Sequence, residues 1–223
     1  MVRVVVTGAA SALGSRVREL LAARDDVEVI GLDLRSGPGI EPADLATAPL
    51  APWFEGATAV VHLASVFGPA MEGPEIDGAV EVAMARRVLA AAADAGVSHV
   101  VLSSSATVYG PWANNAVPLT EEAPLRPHPE LAFAVQCAEI ERLAAEWRAD
   151  HPDATVTRLR PAPVVMDGRL GWLAEALDAA GDLPTAEETP AQYLHVDDLA
   201  AAAVAVLDAR LDGPCNVAPS GWL

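Results

Sequence analysis

Residues 2–34, VRVVVTGAASALGSRVRELLAARDDVEVIGLDL, constrain the fold more than any other stretch of the chain. An apolar run from Val2 to Val6 ends in a turn of small residues, TGAASALG. A helical pattern through Leu13, Val17, Leu20 and Leu21 follows, and a second apolar run ends at Asp33. Unbroken Val and Ile runs indicate strands covered on both faces, which is the pattern of a parallel sheet flanked by helices. Two parallel strands need a crossover between them, and that crossover is right-handed. The start of the chain therefore predicts a βαβ unit.

The alternation continues. Strands are expected over Thr58 to Leu63, Val97 to Ser104 and Ala154 to Pro161, and helices over Asp77 to Ala95 and Glu130 to Ala149. Pro- and Gly-rich stretches at Ser36 to Gly39, Gly68 to Pro74 and Pro124 to Pro129 fall where connecting loops belong. With 223 residues, 52% of them hydrophobic, and no linker or low-complexity tract, one domain over residues 1–223 is the expectation. Its class is α/β, a doubly wound parallel sheet of Rossmann-like form.

Composition excludes several functions. The formal charge of −17 does not supply the positive footprint that nucleic acid or an acidic membrane surface needs. All fourteen basic residues are arginine, so Schiff-base chemistry and a phosphate-loop lysine are ruled out. No apolar run is long enough for a spanning helix or a secretory signal, and the expected location is the cytoplasm. Cys137 and Cys215 are too few for a disulfide framework, and no His, Cys, Asp and Glu grouping has metal-ligand spacing.

The glycine turn has a second reading beyond connection. Thr7 and Gly8 close the first strand and Gly14 lies in the first turn of the helix, so backbone amides there can face a pyrophosphate. Asp33, ending the second strand, is placed to accept hydrogen bonds from an adenosine ribose, and its charge favours NAD over NADP. Arg16 and Arg35 are the residues that could instead bind a 2'-phosphate, which leaves NADP possible. Ser11 and Ala12 stand where related turns carry a glycine that permits close backbone approach.

At VVLSSSATVYG, Val100 to Gly110, the chain becomes specific enough to resemble a family: the extended short-chain dehydrogenase/reductases, or NAD-dependent epimerase/dehydratase family. The resemblance is carried in order by TGAASALG, GLDL, ADL (Ala43 to Leu45), VVHLAS, SSSATVYG, the helix LAFAVQCAEIE, RLRPAPVV, YLHVDDLA and NVAPSG. It implies a nicotinamide cofactor lying across the strand ends. The cofactor would meet Gly8, Ser11, Leu13, Gly14, Asp33, Leu34, Asp44, Leu45, Ala64 and Pro161, with Asp44 near the adenine and Ala64 beside the adenosine. The family draws a proton with a Tyr whose pKa is lowered by a Lys on the same helix, while a Ser or Thr holds the substrate oxygen. Ser105 matches the Ser; Phe133 and Cys137 stand at the Tyr and Lys positions.

A phenyl ring has no ionisable proton and a thiol carries no positive charge, so the usual proton relay cannot operate. Glu81 stands where the family has an Asn, on the nicotinamide ribose side, and Pro163 replaces another family Asn. Candidate catalytic residues are Ser105, Tyr109 and His195, although turn packing is the commoner job for Tyr109 and a hydrogen-bonded position before the Asp197/Asp198 cap is the commoner one for His195. Cys137, rated inert packing rather than a nucleophile, is expected in the substrate pocket with Ser65, Phe133 and Tyr193. His62 is read as structural, His99 and His151 as exposed, and His128 as overhanging the site from its proline loop. The leading expectation is an atypical member that binds NAD(H) and a small organic molecule, and performs an isomerisation, dehydration or non-redox cyclisation without the relay. The rival is a non-catalytic dinucleotide sensor or the inactive partner of an active homologue. Residues 162–192 and 211–223 are expected to form a much reduced substrate-binding part, and helices 77–95 and 130–149 a homodimer contact.

Overall fold

The computed structural model describes residues 1–66, 78–166 and 192–221. Seven strands form one parallel sheet: β1 (Val2–Thr7), β2 (Val27–Asp33), β3 (Ile40–Pro42), β4 (Ala59–His62), β5 (His99–Ser103), β6 (Thr155–Pro161) and β9 (Gly213–Val217), in the order β3-β2-β1-β4-β5-β6-β9. A separate short parallel pair joins β7 (Val164–Val165) to β8 (Leu194–His195). The helices are α1 (Ala12–Ala22), α2 (Ala51–Phe54), α3 (Gly78–Asp94), α4 (Ala132–Asp150) and α5 (Val196–Ala209). A 3-10 turn spans Ala106–Tyr109.

Alternation along β1 sends its side chains to two cores. Val5, with Val60, Val100 and Val156 from neighbouring strands, packs under Val88, Leu89 and Ala92 of α3 and Ile140, Leu143 and Trp147 of α4. Val4 and Val6, with Val61, Val101 and Leu159, pack under Val17 and Leu21 of α1 and Ala200, Ala203 and Val206 of α5. Both faces are thus apolar, which is why the strands read as runs rather than alternations. Leu20, part of the expected helical stripe, is 40% exposed, so the stripe of α1 is narrower than its sequence suggests.

The expected strands and long helices are present with ends shifted by at most two residues. Two sheet strands go beyond expectation: β3, directly after the expected loop at Ser36 to Gly39, and β9, on the far edge. Neither is a continuous apolar run, and β9 is half-buried throughout. The expected loop at Gly68 to Pro74 falls within 67–77, outside the described residues, as does the first residue of the expected helix at Asp77. The same holds for 167–191 and 222–223 of the expected substrate-binding part.

Strand order runs outward in opposite directions from β1 and β4. The crevice above their carboxyl ends is the place where open α/β sheets bind ligands.

Candidate functional site

At that crevice, Gly8 follows β1 in a left-handed conformation (φ 69°), and a Cβ there would lie 2.7 Å from the amide nitrogen of Ala64 after β4. A Cβ on Gly14 would run into the Gly8 carbonyl oxygen, so α1 sits directly on the turn. Ser11, at the position of the missing glycine, is the N-cap of α1 with an ordinary φ of −71°, and its Oγ accepts from the Gly14 amide at 2.9 Å. The cap leaves the amides of Ala12 and Leu13, at the start of the helix, before the first intrahelical bond. Serine thus replaces the glycine without backbone strain.

The two sides of the crevice are tied together by Thr7. Its hydroxyl oxygen accepts from the amides of Leu63 (3.3 Å) and Ala64 (3.4 Å) and lies 2.7 Å from His62 Nδ1. With its acceptor side used, Thr7 donates to Nδ1, which places the His62 proton on Nε2. Burial lowers the His62 pKa to about 4, so the ring is neutral at pH 7.

Asp33 is held by two backbone donors: Ala10 N–H to Oδ2 and Arg35 N–H to Oδ1, both at 3.0 Å. Arg35 also reaches the Ala10 carbonyl at 2.9 Å, with its Nε 3.7 Å from Asp33 Oδ1. Arg16 is engaged elsewhere, with Asp197 and Glu19 each at 2.6 Å. Of the two arginines, therefore, only Arg35 lies beside Asp33. Asp44 closes its own turn, accepting from Ala46 N–H and the Thr47 hydroxyl, each at 2.9 Å. Leu45 is buried in the core beneath, and Leu34 is 73% exposed.

Beyond the N-terminus of α1 lies a cleft of about 320 Å³. It brings together Ser11, Leu13, Ala64, Ser65, Ser105, Phe133, Cys137 and Pro161, along with Glu81, Met166 and Leu199. Ser105 caps the 3-10 turn: its Oγ accepts from Thr107 N–H (3.2 Å) and from the Thr107 hydroxyl (2.9 Å), so its own proton is available to donate to a ligand. Phe133, in the first turn of α4, is half-buried and presents an apolar wall. Cys137, one turn further along, is 5% exposed; burial, then Glu81 and Glu141, push its thiol far above the ordinary range, so it stays protonated and unreactive.

Glu81 on α3 is the residue whose importance the sequence shows least. It is 7% exposed, its Oε2 accepts from Val66 N–H at 2.8 Å, and Ser65 adds a side-chain hydrogen bond. Burial raises its pKa against those two bonds. The only sequence signal is its replacement of a family Asn.

Three of the catalytic and substrate-pocket candidates stand outside the cleft lining. Tyr109 is 2% exposed, and its hydroxyl donates to Asn216 Oδ1 and accepts from Arg160, both at 2.7 Å. It fastens β6 and β9 to the 3-10 turn instead of facing Ser105. His195 is the N-cap of α5, its Nδ1 accepting from Asp197 N–H at 3.3 Å. Tyr193 is half-buried beside β8 and does not line the cleft. Two further histidines differ from expectation: His99 is 1% exposed between Thr155 and Thr157, and His151 stacks on Trp147 at 4.3 Å. His128 stacks on Trp112 at 5.5 Å.

The residues present fit a dinucleotide. A glycine cradle closed to any Cβ, a helix N-terminus above it, a fixed carboxylate at the end of β2 and a cleft on the other side follow one line. The chain belongs to the NAD dependent epimerase/dehydratase family, whose model matches residues 4–218. Solved structures similar to it include MoeE5 in complex with UDP-glucose and NAD, at 26% identity and a TM-score of 0.79 over 99% of this chain and 77% of that one. The UDP-glucose 4-epimerase of Thermus thermophilus in complex with NAD aligns at 25% identity and a TM-score of 0.77, over 99% of this chain and 79% of that one. The UDP-N-acetylglucosamine 4-epimerase of Bacillus cereus shares the fold at 19% identity and a TM-score of 0.78, over 100% of this chain and 80% of that one. No curated protein matches the chain significantly.

Proposed function

We propose that the chain binds NAD(H) and a small organic molecule in one continuous crevice, and acts on that molecule without the family's Tyr/Lys relay. The observation that carries this reading is the cleft itself: Ser105 is present with a proton to donate, while the neighbouring wall of α4 is Phe133 and an unreactive Cys137. Adenosine would be held at Asp33 and Asp44, and the pyrophosphate by the amides opening α1. When bound, the nicotinamide supplies hydride acceptance or donation; the chain's own residues bind, orient and exclude water. Ser105 orients a ligand oxygen, and Phe133, Met166 and Leu199 keep the site apolar. Isomerisation, dehydration or cyclisation of a small molecule fits this arrangement.

The reading includes a single domain with a reduced substrate-binding part, and a homodimer formed through α3 and α4. Small residues on the outer faces of these helices, Ala83, Ala90, Ala145 and Ala149, permit close approach of a second copy.

The experiment is to denature purified protein and examine the released small molecules by ultraviolet spectrum and mass. NAD or NADH at near-stoichiometric amount, or its binding when added to stripped protein, is the expected result. Protein that neither carries nor takes up a dinucleotide contradicts the reading.

A further inference from the structure

The described lining of the cleft contains one side chain able to carry charge at neutral pH, Glu81, and no arginine or histidine. The thiol of Cys137, the other titratable group there, stays protonated. Burial raises the Glu81 pKa, and Val66 N–H and Ser65 oppose that rise as neutral donors, stabilising the carboxylate without cancelling its charge. A carboxylate accepts about four hydrogen bonds, so these two leave acceptor capacity for the cleft. In an apolar cleft such a charge is screened less than in bulk water.

We propose that Glu81 makes the cleft electrostatically selective for a cationic ring, so that the site favours oxidised nicotinamide over the neutral reduced form. The inference rests on the dinucleotide reading above, because the adenosine end at Asp33 and the pyrophosphate at α1 direct the nicotinamide half into this cleft. NAD+ and NADH share every contact at the adenosine end. A charge in the cleft is therefore felt as a difference between the two forms. On its nicotinamide ribose side a bound NAD+ would meet a carboxylate where the family has a neutral amide, and the described lining offers no cation to oppose it.

The test is calorimetric titration of stripped wild-type protein and Glu81→Gln with NAD+, NADH and ADP at pH 8, with thermal melting as a fold control. The ratio of NADH to NAD+ dissociation constants should fall in the variant by about five- to thirtyfold, as expected for a partly screened charge pair several ångströms apart. ADP affinity should not change. An unchanged ratio overturns the inference while leaving the dinucleotide reading intact. Equal weakening of all three ligands also overturns it, by showing that Glu81 acts through the fold. If wild-type protein binds none of the three, the dinucleotide reading falls and takes this inference with it.

Discussion

Two substituted residues on one helix separate packing from chemistry. Phe133→Ala removes an apolar wall from the proposed ligand cleft, and its stability cost should stay below the ~3–5 kcal/mol of a fully buried phenylalanine because the ring is half-buried. Its effect should appear instead as weakened ligand binding in calorimetry. Cys137→Ala should cost about 1 kcal/mol or less and leave ligand binding unchanged. Loss of native activity in a folded Cys137→Ser protein would instead mark the thiol as a catalytic replacement. Histidines give a second prediction at this scale. His62 and His99 both titrate near pH 4 in the folded protein, against about 6.5 when unfolded, because burial opposes their charge. Below pH 6.5 the unfolded chain takes up protons that the folded chain refuses, so stability is present above that pH and lost as pH falls toward 4. Between about pH 6.5 and 5, before most carboxylates titrate, His62 alone should account for about 1.5 kcal/mol. Urea unfolding across that window should show the decline, and His62→Gln should make it shallower.

Among elements, the crevice depends on a buried polar cluster that joins α4, β6, β9 and the 3-10 turn. Arg160 and Glu141, 4% and 2% exposed, pair at 2.6 Å; Ser104 donates to Glu141 at 2.7 Å, and Arg160 reaches Tyr109 and the Glu121 carbonyl. Glu141→Ala would strand a buried guanidinium and should cost about 3–5 kcal/mol. Replacing Glu141 and Arg160 together by Leu and Met should cost less than the two single changes summed, measurable by denaturant unfolding. This cluster also shows what a sequence can reveal. The strand runs, the glycine turn and Asp33 are legible because each needs a residue type at a local spacing. The partners of Tyr109 are not, since Arg160 and Asn216 come to it from distant strands. His99 misleads for the same reason: a polar side chain in a short strand looks exposed until two threonines of the adjacent strand enclose it. Glu81 and the cleft are only half legible, because a substitution is visible in sequence whereas the apolar enclosure that gives it force is not.

For the whole molecule, α3 and α4 pack together and share one outer surface, and no helix of the described residues is long and apolar enough to cross a membrane. A symmetric contact through that surface predicts a homodimer, and sedimentation at micromolar concentration should show twice the 23.1 kDa chain mass. The crevice at the strand ends, where the sheet order reverses, is proposed to hold NAD(H) with its adenosine ribose on Asp33. The most direct measurement of this is calorimetric titration of stripped protein with NADH and NADPH, repeated on Asp33→Ala. Wild-type protein should bind NADH at least about tenfold more tightly than NADPH, and the variant should lose most of that preference, since a hydrogen bond to a charged group is worth ~1.5–3 kcal/mol. A wild-type preference for NADPH would contradict the account and give the ribose to Arg35.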